Sequence, residues 1–384
     1  MVKKCLSLLL TGVLLVAMTG CAEKQETTEE SNEETQKNDG KEEEPEEEEQ
    51  PKEDSIEIEI PEGDSLIADY TTAAGIELPP STRIAVVAKN AKSNYWKAVR
   101  TGMEEAVADL NEEAGLEGDE KITMTFEAPG SEDDAEEQIN IVDAVLAENP
   151  QALCLAAIDA ESLGAQLETA GENGIPVIGF DSGVDGAASE ELIGTMCETD
   201  NYEAGAEAAR RLAAAVGDFG EVLVAASTDS SESVSERVLG FEGEIQNEHK
   251  TVTVVDTIYA NDEEDIRDLG ERAREILDAH PNLKGCFVTD ENMAEEMLNI
   301  LDEEEYQDIQ LVGFDAGEKQ LNAIREGSEL GTVCQNPYGM GYAAVIAAAR
   351  AIMGLENEEV IDAGYQWIDQ SNIDLAENQK YLYE

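Results

Sequence analysis

Residues 83–89 read Arg-Ile-Ala-Val-Val-Ala-Lys, and after a polar turn residues 93–96 read Ser-Asn-Tyr-Trp and open a stretch of helical periodicity. An apolar run passing directly into an amphipathic helix is the start of a strand-turn-helix unit whose strand is covered on both faces. The unit recurs. Further apolar runs predict strands at 121–127, 152–158, 175–180, 192–196, 220–226, 251–259, 285–289, 310–314 and 331–334, after the first at 83–88. Between them, apolar residues at three- and four-residue intervals predict helices at 95–111, 134–147, 162–172, 203–216, 233–247, 263–279, 293–301, 318–326 and 339–351. Strands alternating with helices imply an α/β fold built on parallel sheets. The rhythm runs over 83–196 and again over 200–334, and about 300 residues exceed the usual size of one core, so two similar doubly wound lobes are expected.

The region ahead of this body has a different chemistry. Lys3 and Lys4 precede an uncharged, mostly apolar run over 5–18, which ends in Thr19-Gly20-Cys21. The run is too short for a comfortable membrane span of about 20 residues and reads as a secretory signal over 1–20. Residues 18–21, Met-Thr-Gly-Cys, resemble the bacterial lipobox. That resemblance implies cleavage before Cys21 and its acylation, palmitate included, which would anchor the chain in the lipid bilayer on the extracytoplasmic face of the cell membrane. Residues 22–54 are almost all Glu, Gln, Asn, Thr, Lys and Asp, without an aromatic residue. Such a segment buries too little apolar surface to offset its chain entropy. Residues 55–60 alternate like a strand, but the stretch closes on Pro79-Pro80, so 21–80 as a whole is expected to be an acidic disordered tether.

The chain carries 88 acidic against 24 basic residues, a formal net charge of −64. A surface of that sign repels phosphate, which excludes nucleic acid and anionic membrane surfaces as partners. Beyond Cys5 and Cys21 the cysteines are Cys154, Cys197, Cys286 and Cys334, and the histidines are His249 and His280. Their wide spacing matches no metal-ligand or CxxC pattern, so neither a metal nor a cofactor is expected. P-loop, nucleophile-elbow and dinucleotide signatures are also missing from the sequence, which argues against an enzyme.

In doubly wound sheets ligands sit beyond the carboxyl ends of the strands. The residues placed there include Lys89, Ser93, Tyr95 and Trp96, Asp181 and Ser182, the stretch 227–235, Asp290, Asp315 and Gln335. The motifs at 83–89, 93–96, 174–182 (Gly-Ile-Pro-Val-Ile-Gly-Phe-Asp-Ser), 193–205, 235–241, 289–294, 312–315 (Val-Gly-Phe-Asp) and 331–335 (Gly-Thr-Val-Cys-Gln) follow in an order that resembles the type I periplasmic sugar-binding proteins of the ribose-binding group. The resemblance implies a periplasmic binding protein type I fold. Its lobes would comprise 81–197 plus 336–364 and 198–335 plus 365–384, joined by a hinge crossed near 197–199, 335–336 and 363–366. It implies that Lys89, Ser93, Tyr95, Trp96, Asp181, Ser235, Asp290, Asp315 and Gln335 contact a sugar or polyol. It further implies a monomeric, non-enzymatic receptor serving the ABC permease membrane subunits of an importer. A sensor presenting its ligand to a membrane kinase or chemoreceptor is the alternative.

A sugar offers apolar ring faces and a hydroxyl rim, so flat aromatic walls and fixed hydrogen-bond partners suit it. Ser182 and Ser235 stand where the group uses arginines and Asp290 where it uses asparagine, which points away from ribose toward another polyhydroxylated ligand, such as an aminated sugar or a furanosyl signal. Other readings stand beside these. Asp159 and Asp200 read as helix N-caps, Trp96 also as first-turn packing, and Arg237 as a partner of neighbouring acids. On the family pattern Cys197 and Cys334 lie on neighbouring crossing strands, where a disulfide is conceivable.

Overall fold

The computed structural model describes residues 68–131, 134–181, 192–229, 231–261 and 268–383. The signal, Cys21, most of the acidic tether and Ser182 lie outside the described residues. Two six-stranded sheets organise the rest, with strand orders β11-β5-β4-β3-β1-β2 and β12-β10-β9-β8-β6-β7. The first is built from β1 (Arg83–Val87), β2 (Thr123–Glu127), β3 (Ala152–Leu155), β4 (Val177–Phe180), β5 (Thr195–Glu198) and β11 (Val360–Asp362). The second takes β6 (Gly220–Ala226), β7 (Val252–Tyr259), β8 (Leu283–Val288), β9 (Gln310–Phe314), β10 (Gly331–Gln335) and β12 (Tyr365–Asp369). All pairings are parallel except β10 with β12. Among the described strands the chain changes sheet between β5 and β6, between β10 and β11, and between β11 and β12.

The central strands of each sheet are buried on both faces. On the first, one layer is formed by α1 (Asn94–Glu113) and α9 (Pro337–Ile352), and the other by α2 (Ala135–Ala147) and α3 (Gly164–Glu172). On the second, α4 (Asn201–Ala215) and α5 (Glu232–Glu248) lie opposite α6 (Leu269–Ala279), α7 (Glu291–Leu301) and α8 (Glu318–Glu326). Two-sided burial is why β3 and β4 are apolar at every position, Ala152 to Leu155 and Val177 to Phe180, rather than alternating.

The lobes also share a helix-pair device. A Cβ on Gly102 of α1 would lie 1.9 Å from the Tyr338 carbonyl oxygen of α9, and one on Gly341 would lie 2.1 Å from that of Val99. In the second lobe Gly240 of α5 faces the Tyr202 carbonyl at 1.9 Å, and Gly205 of α4 that of Arg237 at 2.1 Å. Side-chain-free surfaces let the backbones interlock on the cleft-flanking helices, so helix position is fixed by main chain rather than by adaptable side chains.

Three expectations are corrected. The tether does not extend to residue 80: Tyr70, Ala73, Ile76 and Leu78 are buried in the first lobe's core, and the Tyr70 hydroxyl accepts from the Glu358 amide at 2.8 Å. Four apolar side chains spread over nine residues supply the burial that the acidic stretch ahead of them lacks. Cys197 and Cys334 lie in different sheets, and all four body cysteines are buried free thiols. Burial pushes Cys154 and Cys286 up to about 12, which keeps them unreactive. Finally, β11, β12 and a 3₁₀ turn over Ala376–Tyr381 fall where no element was predicted.

Candidate ligand-binding cleft

The two sheets end in the same local sequence. Gly179-Phe180-Asp181 closes β4 and Gly313-Phe314-Asp315 closes β9, with Phe180 and Phe314 fully buried. Both aspartates then adopt left-handed backbone, φ 72° at Asp181 and 73° at Asp315. Their amides donate to the neighbouring strand, Asp181 to the Cys197 carbonyl at 3.0 Å and Asp315 to that of Val333 at 2.9 Å. Aspartate tolerates this region better than most side chains, yet it still costs about 1 kcal/mol or more, and such strain collects at functional sites.

Around Asp181, Lys89 Nζ from the end of β1 stands at 2.8 Å and the Tyr95 hydroxyl donates at 2.7 Å. Burial pushes this carboxyl up, but the Lys89 charge, the bonds from Lys89 and Tyr95, and the charge of Arg237 outweigh it and leave the group below the ordinary carboxylate range. Around Asp315 the donors are neutral. Gln335 Nε2 at 2.8 Å and the Tyr383 hydroxyl at 3.0 Å both bond Oδ1, while among the described residues Oδ2 meets only the Glu291 amide, at 3.4 Å. Burial and the Asp290 charge raise the Asp315 carboxyl more than Arg237, Gln335 and Tyr383 lower it. Burial and the adjacent carboxylates hold the Tyr95 and Tyr383 phenols well above their usual range, so both remain neutral donors.

A cavity of about 390 Å³ opens between these groups, lined from the first lobe by Ser93, Asn94, Tyr95, Trp96 and Asp181 and from the second by Ser227, Val234, Asp290, Glu291, Asn292, Asp315 and Gln335, with Tyr383 at the margin. That size suits a small ligand, since such clefts run from about 300 to 1,000 Å³. Larger hollows of about 580 and 480 Å³ lie against β7 and α5 and between α7 and α8. They sit away from the strand ends, and neither combines strained carboxylates with opposed lobes.

Of the nine residues expected at the ligand, seven line this cavity: Ser93, Tyr95, Trp96, Asp181, Asp290, Asp315 and Gln335. Lys89 acts one step back, as the cation on Asp181. Ser235 is the departure. It is half-buried on α5, its hydroxyl donates to the Asp229 carbonyl at 3.4 Å, and Val234 lines the cavity instead.

Several lining residues also serve the fold. Ser93 caps α1 by accepting from the Trp96 amide, and Asp290 caps α7 by accepting from the amides of Asn292 and Met293. Trp96 is 2 % exposed and stands edge-on to both Tyr95 and Phe180. The aromatic wall is therefore a Tyr95 corner backed by Trp96, not two parallel plates. Asp200 caps α4, and Asp159 accepts from the Glu161 and Ser162 amides.

Arg237 was read as a partner of neighbouring acids, and the structure corrects this. It is buried, Nε on Asn201 Oδ1 at 2.9 Å and Nη1 on the Thr289 carbonyl at 2.8 Å, with its guanidinium 3.8 Å above the Phe314 ring. It sits on the apolar stripe of α5 with Val234, Val238 and Phe241, and a charge on that stripe is the sequence signal that marks it. Tyr383 carried no such signal.

Comparison with known proteins agrees with this geometry. The family model described as periplasmic binding protein domain matches residues 84–356. The ribose import binding protein RbsB of Bacillus subtilis is 24% identical over 234 residues, covering 61% of this chain and 73% of the relative. Among solved structures, an ABC transporter solute binding protein from Agrobacterium vitis with bound D-fucose is 26% identical with a TM-score of 0.65, covering 78% of this chain and all of its own. AraP, an arabinose binding protein from Geobacillus stearothermophilus, is 25% identical with a TM-score of 0.67, over 77% of this chain and 99% of its own. The chain belongs to the type I periplasmic sugar-binding protein family, whose members bind their substrates without transforming them.

Proposed function

We propose that this protein is a lipid-anchored extracytoplasmic receptor that captures a monosaccharide-sized, polyhydroxylated ligand between its lobes and delivers it to an ABC permease. The observation that carries this reading is the pairing of Asp181 and Asp315, one from each sheet, across a single polar cavity. Hydroxyl groups donate well to carboxylates, and a ligand that bonds both aspartates favours the form with the lobes together. Asn94, Asn292 and Gln335 add donors around the rim, and Lys89 holds the Asp181 carboxylate from behind. The relatives support sugar: D-fucose is bound in the Agrobacterium vitis protein, and the B. subtilis relative is a ribose import binding protein. The lipobox-like 18–21 segment supplies the anchor and the region after it the tether.

The test is a calorimetric and thermal-shift panel of D-ribose, D-arabinose, D-xylose, D-fucose, D-apiose, xylitol and D-glucosamine. Binding should raise the melting temperature with the logarithm of ligand concentration, and Asp181→Ala and Asp315→Ala should each abolish the shift. A protein that ignores the whole panel but responds to amino acids or nucleosides would overturn the sugar assignment. The anchor is checked by labelled palmitate, which should be incorporated into the full chain and not into Cys21→Ala.

A further inference from the structure

Tyr383 belongs to none of the strand-end loops, yet it occupies the margin of the cleft. It lies just beyond the 3₁₀ turn Ala376–Tyr381, which is tied back to the chain after β12 by Asn378 on the Asn372 carbonyl and Gln379 on that of Ile373, both at 2.9 Å. From there Tyr383 is inserted between the lobes. It is 7 % exposed, its ring stands edge-on to Tyr95 of α1 with centroids 5.6 Å apart, and its hydroxyl bonds Asp315 Oδ1. Tyr383 belongs to the small cluster of Ala316, Leu321 and Cys334 in the second lobe, and Tyr95 and Ala98 of the first pack against that cluster.

Another hollow, of about 310 Å³, adjoins Tyr383 and is lined further by Lys97, Ala98, Thr101, Gln379 and Leu382. Asn94 and Tyr383 line both spaces. Tyr383 thus borders both the sugar-sized cavity and an outer pocket along α1, the position of a wall between them. Its hydroxyl also takes up one lone pair of Asp315 Oδ1, with Gln335 on the same atom, so the less encumbered Oδ2 is left for a ligand hydroxyl.

From this placement, and resting on the sugar-receptor reading above, we infer that Tyr383 is a specificity-determining residue: it limits the cleft to a single sugar ring and orients Asp315 toward it. A chain extended by a second ring would need the volume Tyr383 fills. The hydroxyl and the ring carry separable parts of this role, because phenylalanine keeps the wall and loses only the bond to Asp315.

The test compares full-length protein with Tyr383→Phe and Tyr383→Ala, using the monosaccharide panel together with xylobiose, maltose and sucrose. Tyr383→Phe should keep the one-ring limit while weakening the best monosaccharide by about tenfold, as one lost bond to a carboxylate would. Tyr383→Ala should weaken it further and gain binding of at least one disaccharide. A ligand-independent readout accompanies these: in a Trp367→Phe background, acrylamide quenching of Trp96 should rise in Tyr383→Ala and stay low in Tyr383→Phe. Unchanged quenching would overturn the wall. Raised quenching with unchanged size selection would overturn the specificity role. If wild type binds no sugar at all, the receptor reading fails by itself; the inference falls with it unless Tyr383→Ala both raises quenching and admits a disaccharide that wild type refuses.

Discussion

The two lobes end their central strands in the same Gly-Phe-Asp turn, with the same left-handed aspartate and the same amide bond to the next strand, yet they hold their carboxylates differently. In the first lobe Asp181 is paired with a cation, Lys89, and kept ionised. In the second, Asp315 faces neutral donors and is raised by burial. The backbone was repeated and the electrostatics were not. Strand pairing sets the backbone geometry in both lobes, and in the second Gly313 leaves no room for a Cβ beside Glu329, Gln320 and Thr332. The charge state is set by whatever the loops bring, and loops are free to differ.

The largest expected effect lies in that asymmetry. Asp181→Ala takes the carboxylate away from the mostly buried Lys89 ammonium 2.8 Å from it and should lower unfolding free energy by about 3 kcal/mol, the lower end for breaking a buried pair. Asp315→Asn keeps an acceptor for Gln335 and Tyr383 and should change it by about 1 kcal/mol or less. Urea unfolding measures both losses, and equal values would mean that the two carboxylates are held alike.

Where the lobes are alike, they should respond alike. Gly102→Ala in the first and Gly240→Ala in the second each drive a methyl into a facing carbonyl oxygen 1.9 Å away. Each should destabilise by about 1–3 kcal/mol through forced helix separation. Calorimetry will show whether each variant lowers one shared transition or only that of its own lobe.

The pH response should have opposite signs. Asp181 has a lowered folded pKa, so its contribution is present above the ordinary value of 3.8 and is lost as pH falls through the folded pKa. Asp315 has a raised one, so its contribution is present below 3.8 and is lost as pH rises through the folded pKa. Melting temperature against pH should therefore lose part of its acid-side fall in Asp181→Asn, and lose a decline on the rising-pH side in Asp315→Asn. Tyr95→Phe should cost less than Asp181→Ala, about 1.5 kcal/mol for one hydroxyl bond to Asp181, and should move the acid-side fall to higher pH.

Legibility of these features in the sequence followed their physics. Strands such as β3 and β4 were readable because burial on both faces makes them continuously apolar, and the helices because a sheet demands one apolar stripe. The strand-end rule located Asp181, Asp315 and Gln335 without any contact being known. It could not place Ser235, because one helical position separates a residue facing the cleft from one facing the Asp229 loop. Three-residue β11, with Val360 exposed, has no periodicity to read. Residues 68–80 were hidden by their acidic approach, although Tyr70, Ile76 and Leu78 carry the burial. Tyr383 reaches the site from the end of a 3₁₀ turn, a path that no spacing encodes.

Small-angle scattering of the full-length protein, with and without the tightest sugar found in the panel, reads closure of the lobes on a ligand. The radius of gyration should contract with ligand in wild type and not in Asp181→Ala or Asp315→Ala, since closure needs a ligand that bridges both lobes. A sugar that binds with unchanged scattering, or one that still contracts the protein when either aspartate is gone, would contradict it.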